Sequence, residues 1–194
     1  VFRDYTAKKP AAKSFFGMDI YMGKRSNFKR VDRDYYPTPR NAVIPLVPHL
    51  PKRGRFAEPC AGDGRLVKHI EEITGLVCCW MTDIEPQADF ISLGNATKDT
   101  ISGCDVVITN PPWRRDILHP VIENLSSQLP TWLLFDADWM HTKQAIPYFP
   151  HIKKIVSVGR VKWIEDSPSV GKDNACWYLF DKTSEKTEFI PRLF

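Results

Sequence analysis

Two short stretches hold the residues best suited to chemistry, Glu58-Pro-Cys-Ala-Gly-Asp-Gly64 and Asn110-Pro-Pro-Trp113. In the second, the Asn110 side-chain carbonyl and the Pro111 backbone carbonyl can accept the two N–H groups of an exocyclic nucleobase amine. Such an amine is a poor nucleophile because its lone pair is delocalised into the ring. Engaging both N–H groups favours a pyramidal nitrogen whose lone pair can point at an electrophilic methyl group. No charged base is needed at that step, and the chain offers no convincing Cys/His or Ser/His/Asp pairing. Pro111 and Pro112 fix φ and hold Asn110 and Trp113 in one relative orientation. Trp113 then offers a flat face for a base, a contact worth ~1–3 kcal/mol.

The first stretch is a Gly62-x-Gly64 turn, which exposes backbone N–H groups and lets a ligand approach the chain closely. It lacks the third glycine of a dinucleotide fingerprint. Asp83 follows about twenty residues later at a strand end, where an acidic side chain can accept both ribose hydroxyls. Glu58 before the turn and Asp63 inside it put carboxylates where a pyrophosphate would sit. That arrangement disfavours a phosphate ligand and favours a cationic or zwitterionic one. S-adenosyl-L-methionine fits, with a ribose, an ammonium and a sulfonium but no phosphate.

Regular elements must carry both stretches. "RFAEP" (55–59) reads as a strand entering the glycine turn, and "RLVKHIEEI" (65–73) as a helix with Leu66, Ile70 and Ile73 at helical spacing. "LVCCWMTDI" (76–84) is a continuous apolar run, as in a strand buried on both faces. "DVVITN" (105–110) and "TWLLFDA" (131–137) read as further strands, with a helix kinked near Pro120 between them. "IKKIVSVGRVKWI" (152–164) and "ACWYLFD" (175–181) form a late strand pair around the polar 165–174 loop. The alternation predicts an α/β domain with a mostly parallel sheet, helices on both faces and an antiparallel closing pair. Ligands in such sheets bind beyond the carboxyl ends of the strands, where both stretches fall.

The 194 residues suffice for one domain with a real core, and no window approaches eighteen uncharged apolar residues, which excludes a membrane span. The start, "VFRDYTAKKP", carries charges too early for a secretory signal. Five cysteines without CxxC spacing suggest reduced thiols in a cytoplasmic protein. The five histidines show no metal spacing, and no metal is expected. Residues 1–40 hold ten Lys and Arg against four Asp, while the whole chain carries only +4. The organisation expected is a basic arm over residues 1–34, interleaved with aromatics and suited to phosphates, and a catalytic domain over residues 35–194.

"YYPTP" (35–39), "EPCAGDG" (58–64), "TDIEP" (82–86), "NPPW" (110–113), "GRVKWI" (159–164) and "ACWYLF" (175–180) together resemble the S-adenosylmethionine-dependent DNA N6-adenine methyltransferases, in particular the small phage and prophage type. The resemblance covers nearly everything from Tyr35 onward. It implies a Rossmann-like class I methyltransferase with a seven-stranded, mostly parallel sheet. It also implies duplex DNA as partner, with the target adenine flipped out, in the cytoplasm of a bacterial host. By the same resemblance Tyr36, Thr38 and Pro39 shape the methionine side of the cofactor pocket. Glu58, Pro59, Cys60, Ala61, Gly62, Asp63 and Gly64 form its loop, and Asp83 and Ile84 meet the ribose. Asn95 and Ala96 lie at the adenine, with Asn95 standing where the family often has Asp. Asn110, Pro111, Pro112 and Trp113 are the catalytic tetrapeptide, Asn110 also bordering the cofactor, and Trp163 is the second aromatic against the extruded base.

A separate target-recognition domain, present in many relatives, is absent from the pattern. Sequence selection then falls to the basic arm, the 165–174 loop or a partner subunit, or is loose. An amide nitrogen poses the same electronic problem as an adenine amine, so protein-glutamine and RNA methylation stay open, as does a cofactor- or DNA-binding scaffold without catalysis. Trp132, Trp139 and Trp177 are expected in the core. Asp136 and Asp138 end a strand close to the cleft.

Overall fold

Strand residues alternate between two apolar cores, one on each face of a single sheet, and this period of two fixes which side chains can reach the site. The computed structural model describes residues 35–164, 166, 170–182 and 186–192. The basic arm of residues 1–34 and part of the 165–174 loop lie outside the described residues.

The strands are β1 (Gly54–Glu58), β2 (Leu76–Asp83), β3 (Ser92–Leu93), β4 (Val106–Thr109), β5 (Thr131–Asp136), β6 (Ile152–Arg160), β7 (Asn174–Phe180) and β8 (Glu188–Ile190). They form one sheet in the order β3-β2-β1-β4-β5-β7-β6-β8. The first five run parallel, β7 is antiparallel to both β5 and β6, and β8 returns parallel to β6. The expected sheet had seven strands; the eighth is β8, joined to β6 from Lys154↔Glu188 to Val156↔Ile190 and supported by a Lys154–Glu188 ion pair at 3.0 Å.

Phe56, Val106, Ile108, Trp132, Leu134 and Trp177 point into one core, against α1 (Arg40–Val43), the 3-10 helix Ile44–His49 and α2 (Arg65–Ile73). Ala57, Val107, Leu133, Phe135, Cys176 and Tyr178 point into the other, against α3 (Arg115–Ser126) and the 3-10 turns Ala137–His141 and Lys143–His151. Helices therefore cover both faces. Trp132, Trp139 and Trp177 are core residues, as expected. Trp177 Nε1–H also donates to Ala42 O at 2.8 Å and so anchors α1, the element after the Tyr35–Pro39 segment, to the sheet.

Two expectations change. β2 is not buried on both faces: Val77 is 59% exposed, because its outer neighbour β3 pairs only with Thr82 and Asp83. The cysteines are not all reduced thiols either. The pairing passes from Phe56↔Cys78 to Ala57↔Trp80, leaving Cys79 as an extra residue. Such a bulge re-aims a side chain, and Cys79 is joined to Cys104 in a disulfide with its Cα atoms 6.3 Å apart. No described helix is long and apolar enough to cross a membrane, and the described residues include no cluster of three metal-ligating side chains.

Candidate active site

The glycine turn forms because β1 ends at Glu58 and the chain must reverse into α2 within six residues. Gly62 and Gly64 make the reversal at φ +54° and +80°, where residues with a Cβ are strained. A Cβ on Gly62 would lie 2.7 Å from Tyr35 Cε2, and one on Gly64 3.0 Å from Phe90 Cε2. Backbone bonds stitch the turn to the end of β2: Ala61 N–H donates to Thr82 O at 3.0 Å. Asp83 uses both carboxylate oxygens, one accepting from Gly62 N–H and the other from Glu85 N–H, each at 2.8 Å. Pro59 and Ala61 are buried and Cys60 is half-buried between these fixed points. Asp83 is thus held beside the turn, as its position twenty-one residues after Gly62 suggests.

Electrostatics divides the carboxyl groups. Glu58 is 1% exposed, and burial pushes its pKa well above the usual carboxylate range, opposed by the Thr109 hydroxyl. Burial thus weakens the negative potential that the sequence position of Glu58 suggests. Asp63 pairs with Arg65 at 3.4 Å and accepts the Arg65 N–H at 3.0 Å, which offsets much of its charge. The anionic character of the turn therefore rests on Asp83, which each oxygen's second lone pair leaves able to accept a hydroxyl.

Beyond Asp83, Ile84 and Phe90 expose 59% and 67% of their surface. They are apolar surfaces beside the ribose-type acceptor. Asn95 follows β3, and its Oδ1 accepts from both the Thr97 backbone N–H (3.0 Å) and the Thr97 hydroxyl (2.7 Å). Both lone pairs of that amide oxygen are engaged within its own turn, so an adenine amine could use it only by displacing Thr97. Ala96 is buried beneath.

Asn110 leaves β4 one residue after Thr109, at the same edge as the glycine turn. Its Nδ2 group donates to Thr38 Oγ1 at 3.0 Å and to Tyr36 O at 3.3 Å. Those two donations fix the amide plane and leave Oδ1 as the group's acceptor. Trp113 Nε1–H makes a long contact of 3.4 Å to Asn110 Oδ1 and a shorter bond of 3.2 Å to Leu134 O. "YYPTP" and "NPPW", more than seventy residues apart, thus form one cluster. Pro39 ends the first of them and precedes α1 as its N-cap residue.

Trp113 and Trp163 are neighbours, with ring centroids 5.6 Å apart, but their planes stand at 84°. Tyr36 lies 6.4 Å beyond Trp163, and a Gly171 Cβ would lie 3.2 Å from Trp163 Cδ1. A base held flat between two parallel indoles therefore requires one ring to turn. Pro111 is buried and Pro112 half-buried between Asn110 and Trp113. Asp136 is engaged by Arg115 at 3.0 Å and by Asp138 N–H, while Asp138 itself is exposed.

Sequence reasoning missed Tyr35 and Phe90, the rings packed on the two glycines, and Thr109, whose hydroxyl meets Glu58 at 3.1 Å. The only signal for Thr109 is a lone hydroxyl in an apolar strand, immediately before Asn110.

No protein-family model matches the chain, and no curated protein matches it. Solved structures do. A Listeria monocytogenes protein provisionally described as a class I S-adenosylmethionine-dependent methyltransferase aligns with TM-score 0.56 at 11% identity, over 85% of this chain and 68% of that one. A dimethyladenosine transferase from Plasmodium falciparum aligns with TM-score 0.51 at 16% identity, over 75% and 62%. The 23S rRNA methyltransferase ErmE aligns with TM-score 0.51 at 12% identity, over 77% and 71%. The chain thus spans less than two thirds of the dimethyladenosine transferase. Together with the strand order, the likeness establishes the Rossmann-like fold of class I methyltransferases.

Proposed function

We propose that the chain transfers a methyl group from S-adenosylmethionine to the N6 amine of adenine in DNA. The observation that carries this reading is the Asn110 amide, whose Nδ2 is spent on Thr38 and Tyr36 while Oδ1, met by a long 3.4 Å contact from Trp113 Nε1–H, keeps a lone pair for an incoming amine. The cofactor fits the donor set at the turn: a carboxylate for hydroxyls at Asp83, apolar surface at Ile84 and Phe90, and, among the described residues of the turn, a cation, Arg65, that is already paired with Asp63. Gly62, Gly64 and Asp83 would hold it, and it supplies an electrophilic methyl group when bound.

The chain's own residues do the rest. Asn110 Oδ1 and Pro111 O accept the amine's two N–H groups, which frees the nitrogen lone pair and stabilises the positive charge it gains. Trp113 packs on the base and orients it. The ring region around Trp163 and Tyr36 screens the site from water. The basic arm over residues 1–34 contributes affinity for phosphates.

RNA adenine is the second reading. It is favoured by two of the structural neighbours, the dimethyladenosine transferase and the 23S rRNA methyltransferase. The test is a labelled methyl donor with matched DNA and RNA substrates, followed by digestion to nucleosides and mass spectrometry. N6-methyldeoxyadenosine supports the first reading and N6-methyladenosine the second. Label in neither, with label on protein amides or nowhere, overturns both.

A further inference from the structure

The backbone ladder between β1 and β4 is short. It pairs Phe56 with Val106 and Ala57 with Val107, and then stops. Glu58, the next residue on β1, and Thr109, two residues further along β4, are 1% and 0% exposed, so both strand ends run on through the interior past that ladder, Thr109 being paired on its other side with Leu133 of β5. A side chain takes its place. Glu58 reaches from β1 to β4, where its carboxyl accepts the hydroxyl of Thr109, the residue before Asn110, at 3.1 Å.

We propose that Glu58 is a positioning residue that clamps the end of β4, and so fixes the backbone from which Asn110 presents its amide. The role of Asn110 in transfer rests on the function proposed above; the clamp itself does not. Asn110 is then held from two sides. Thr38 and Tyr36 fix its side chain, and Glu58, through Thr109, steadies the main chain that leads into it. Because a reacting geometry displaced by about an ångström can cost on the order of a hundredfold in rate, loosening the main chain would cost turnover even with the side chain intact.

The clamp works as an uncharged group. The second carboxyl oxygen, Oε2, is buried with no hydrogen-bond partner among the described residues, and Asp83 and the half-buried Cys60 stand nearby. An ionised carboxylate in that position would be costly, and burial accordingly favours the protonated form. A neutral acid that accepts the Thr109 hydroxyl through its carbonyl can be replaced by an amide of the same shape. A carboxylate ligand for the cofactor's ammonium could not be.

Glu58→Gln and Glu58→Ala, with Thr109→Val as a milder cut of the same contact, separate these roles. The first readout is amide hydrogen exchange at Asn110 by NMR, on the full chain without substrate. Wild type and Glu58→Gln should keep Asn110 protected, while Glu58→Ala and Thr109→Val should speed its exchange by at least about tenfold. The second readout is methyl transfer with cofactor affinity. Thr109→Val should lose kcat with cofactor Kd unchanged. Protection of Asn110 that survives in both Glu58→Ala and Thr109→Val overturns the clamp, as does a Glu58→Gln variant in which Asn110 exchanges as fast as in Glu58→Ala. If wild type transfers methyl to no nucleic acid, the proposed function falls, and the exchange measurement alone still decides the clamp.

Discussion

Removing the Asp83 carboxylate should have two separable consequences, because in this structure the group does two things. Without ligand it accepts from Gly62 N–H and Glu85 N–H, each at 2.8 Å. Hydrogen bonds to a charged acceptor contribute about 1.5–3 kcal/mol each. The Glu85 N–H is exposed and regains water, so its bond counts at the bottom of that range or below. The Gly62 N–H is part-buried and loses more. Asp83→Ala should therefore destabilise the ligand-free protein by ~2–3 kcal/mol. At ~2–4 °C per kcal/mol for a domain of this size, the midpoint should fall by roughly 4–12 °C. Bonds to ribose hydroxyls are a further loss of about 1–3 kcal/mol, a Kd for S-adenosylmethionine raised roughly 5- to 150-fold. Scanning calorimetry without ligand measures the first effect. Titration calorimetry at a temperature where the variant is folded measures the second. An unchanged midpoint refutes the loop-stitching role, and an unchanged Kd refutes the ribose assignment.

Two other expectations concern the aromatic residues. With 2-aminopurine at the target position, Trp163→Ala should brighten the flipped probe relative to wild type while cofactor binding is kept; an unaltered signal would remove Trp163 from the base site. His119 accepts the Trp139 Nε1–H at 3.1 Å, and burial, reinforced by Arg115, holds its pKa below the usual value. The unfolded chain then binds a proton more readily than the folded one, so this contribution is fully present above about pH 6.5 and is lost as pH falls below it. The thermal midpoint of wild type should drop more between pH 7 and 5 than that of His119→Gln, and parallel curves would refute the coupling.

The legible parts of the fold were those written in local pattern. The spacing of Leu66, Ile70 and Ile73 marks a helix over 65–73, the span α2 occupies. The apolar runs from 105, 131, 152 and 175 become β4 to β7, within a few residues at their ends. β8 was hidden because three residues, Glu188 to Ile190, are too few to show a period, and only pairing with β6 makes them a strand. β2 misled because an apolar run does not reveal that its outer neighbour covers only two of its residues. The 3-10 turn Lys143–His151, interrupted by Pro147 and Pro150, has no apolar period to announce it.

At the site, residue types and their sequence order placed Gly62, Gly64, Asp83 and Asn110 at one sheet edge. Contacts between distant segments could not be read that way. The Asn110–Thr38 bond spans seventy-two residues and the Glu58–Thr109 bond fifty-one. The perpendicular Trp113 and Trp163 rings, and an Asn95 oxygen spent on Thr97, depend on rotamers that spacing does not encode. The charge of Glu58 depends on burial, which its place at a strand end does not reveal.

The central claim is that Asn110 acts on an adenine amine while the glycine turn and Asp83 hold the cofactor. The most direct test expresses wild type and Asn110→Ala in bacteria that lack adenine methylation, sequences the genomic DNA by a method that reads modified bases, and measures the cofactor Kd of both purified proteins. N6-methyladenine is expected in wild-type cells and none with Asn110→Ala, with Kd values within about threefold of each other, because the residue serves the acceptor rather than the donor. Methylation that persists with Asn110→Ala, or a cofactor affinity that collapses with it, would contradict the account.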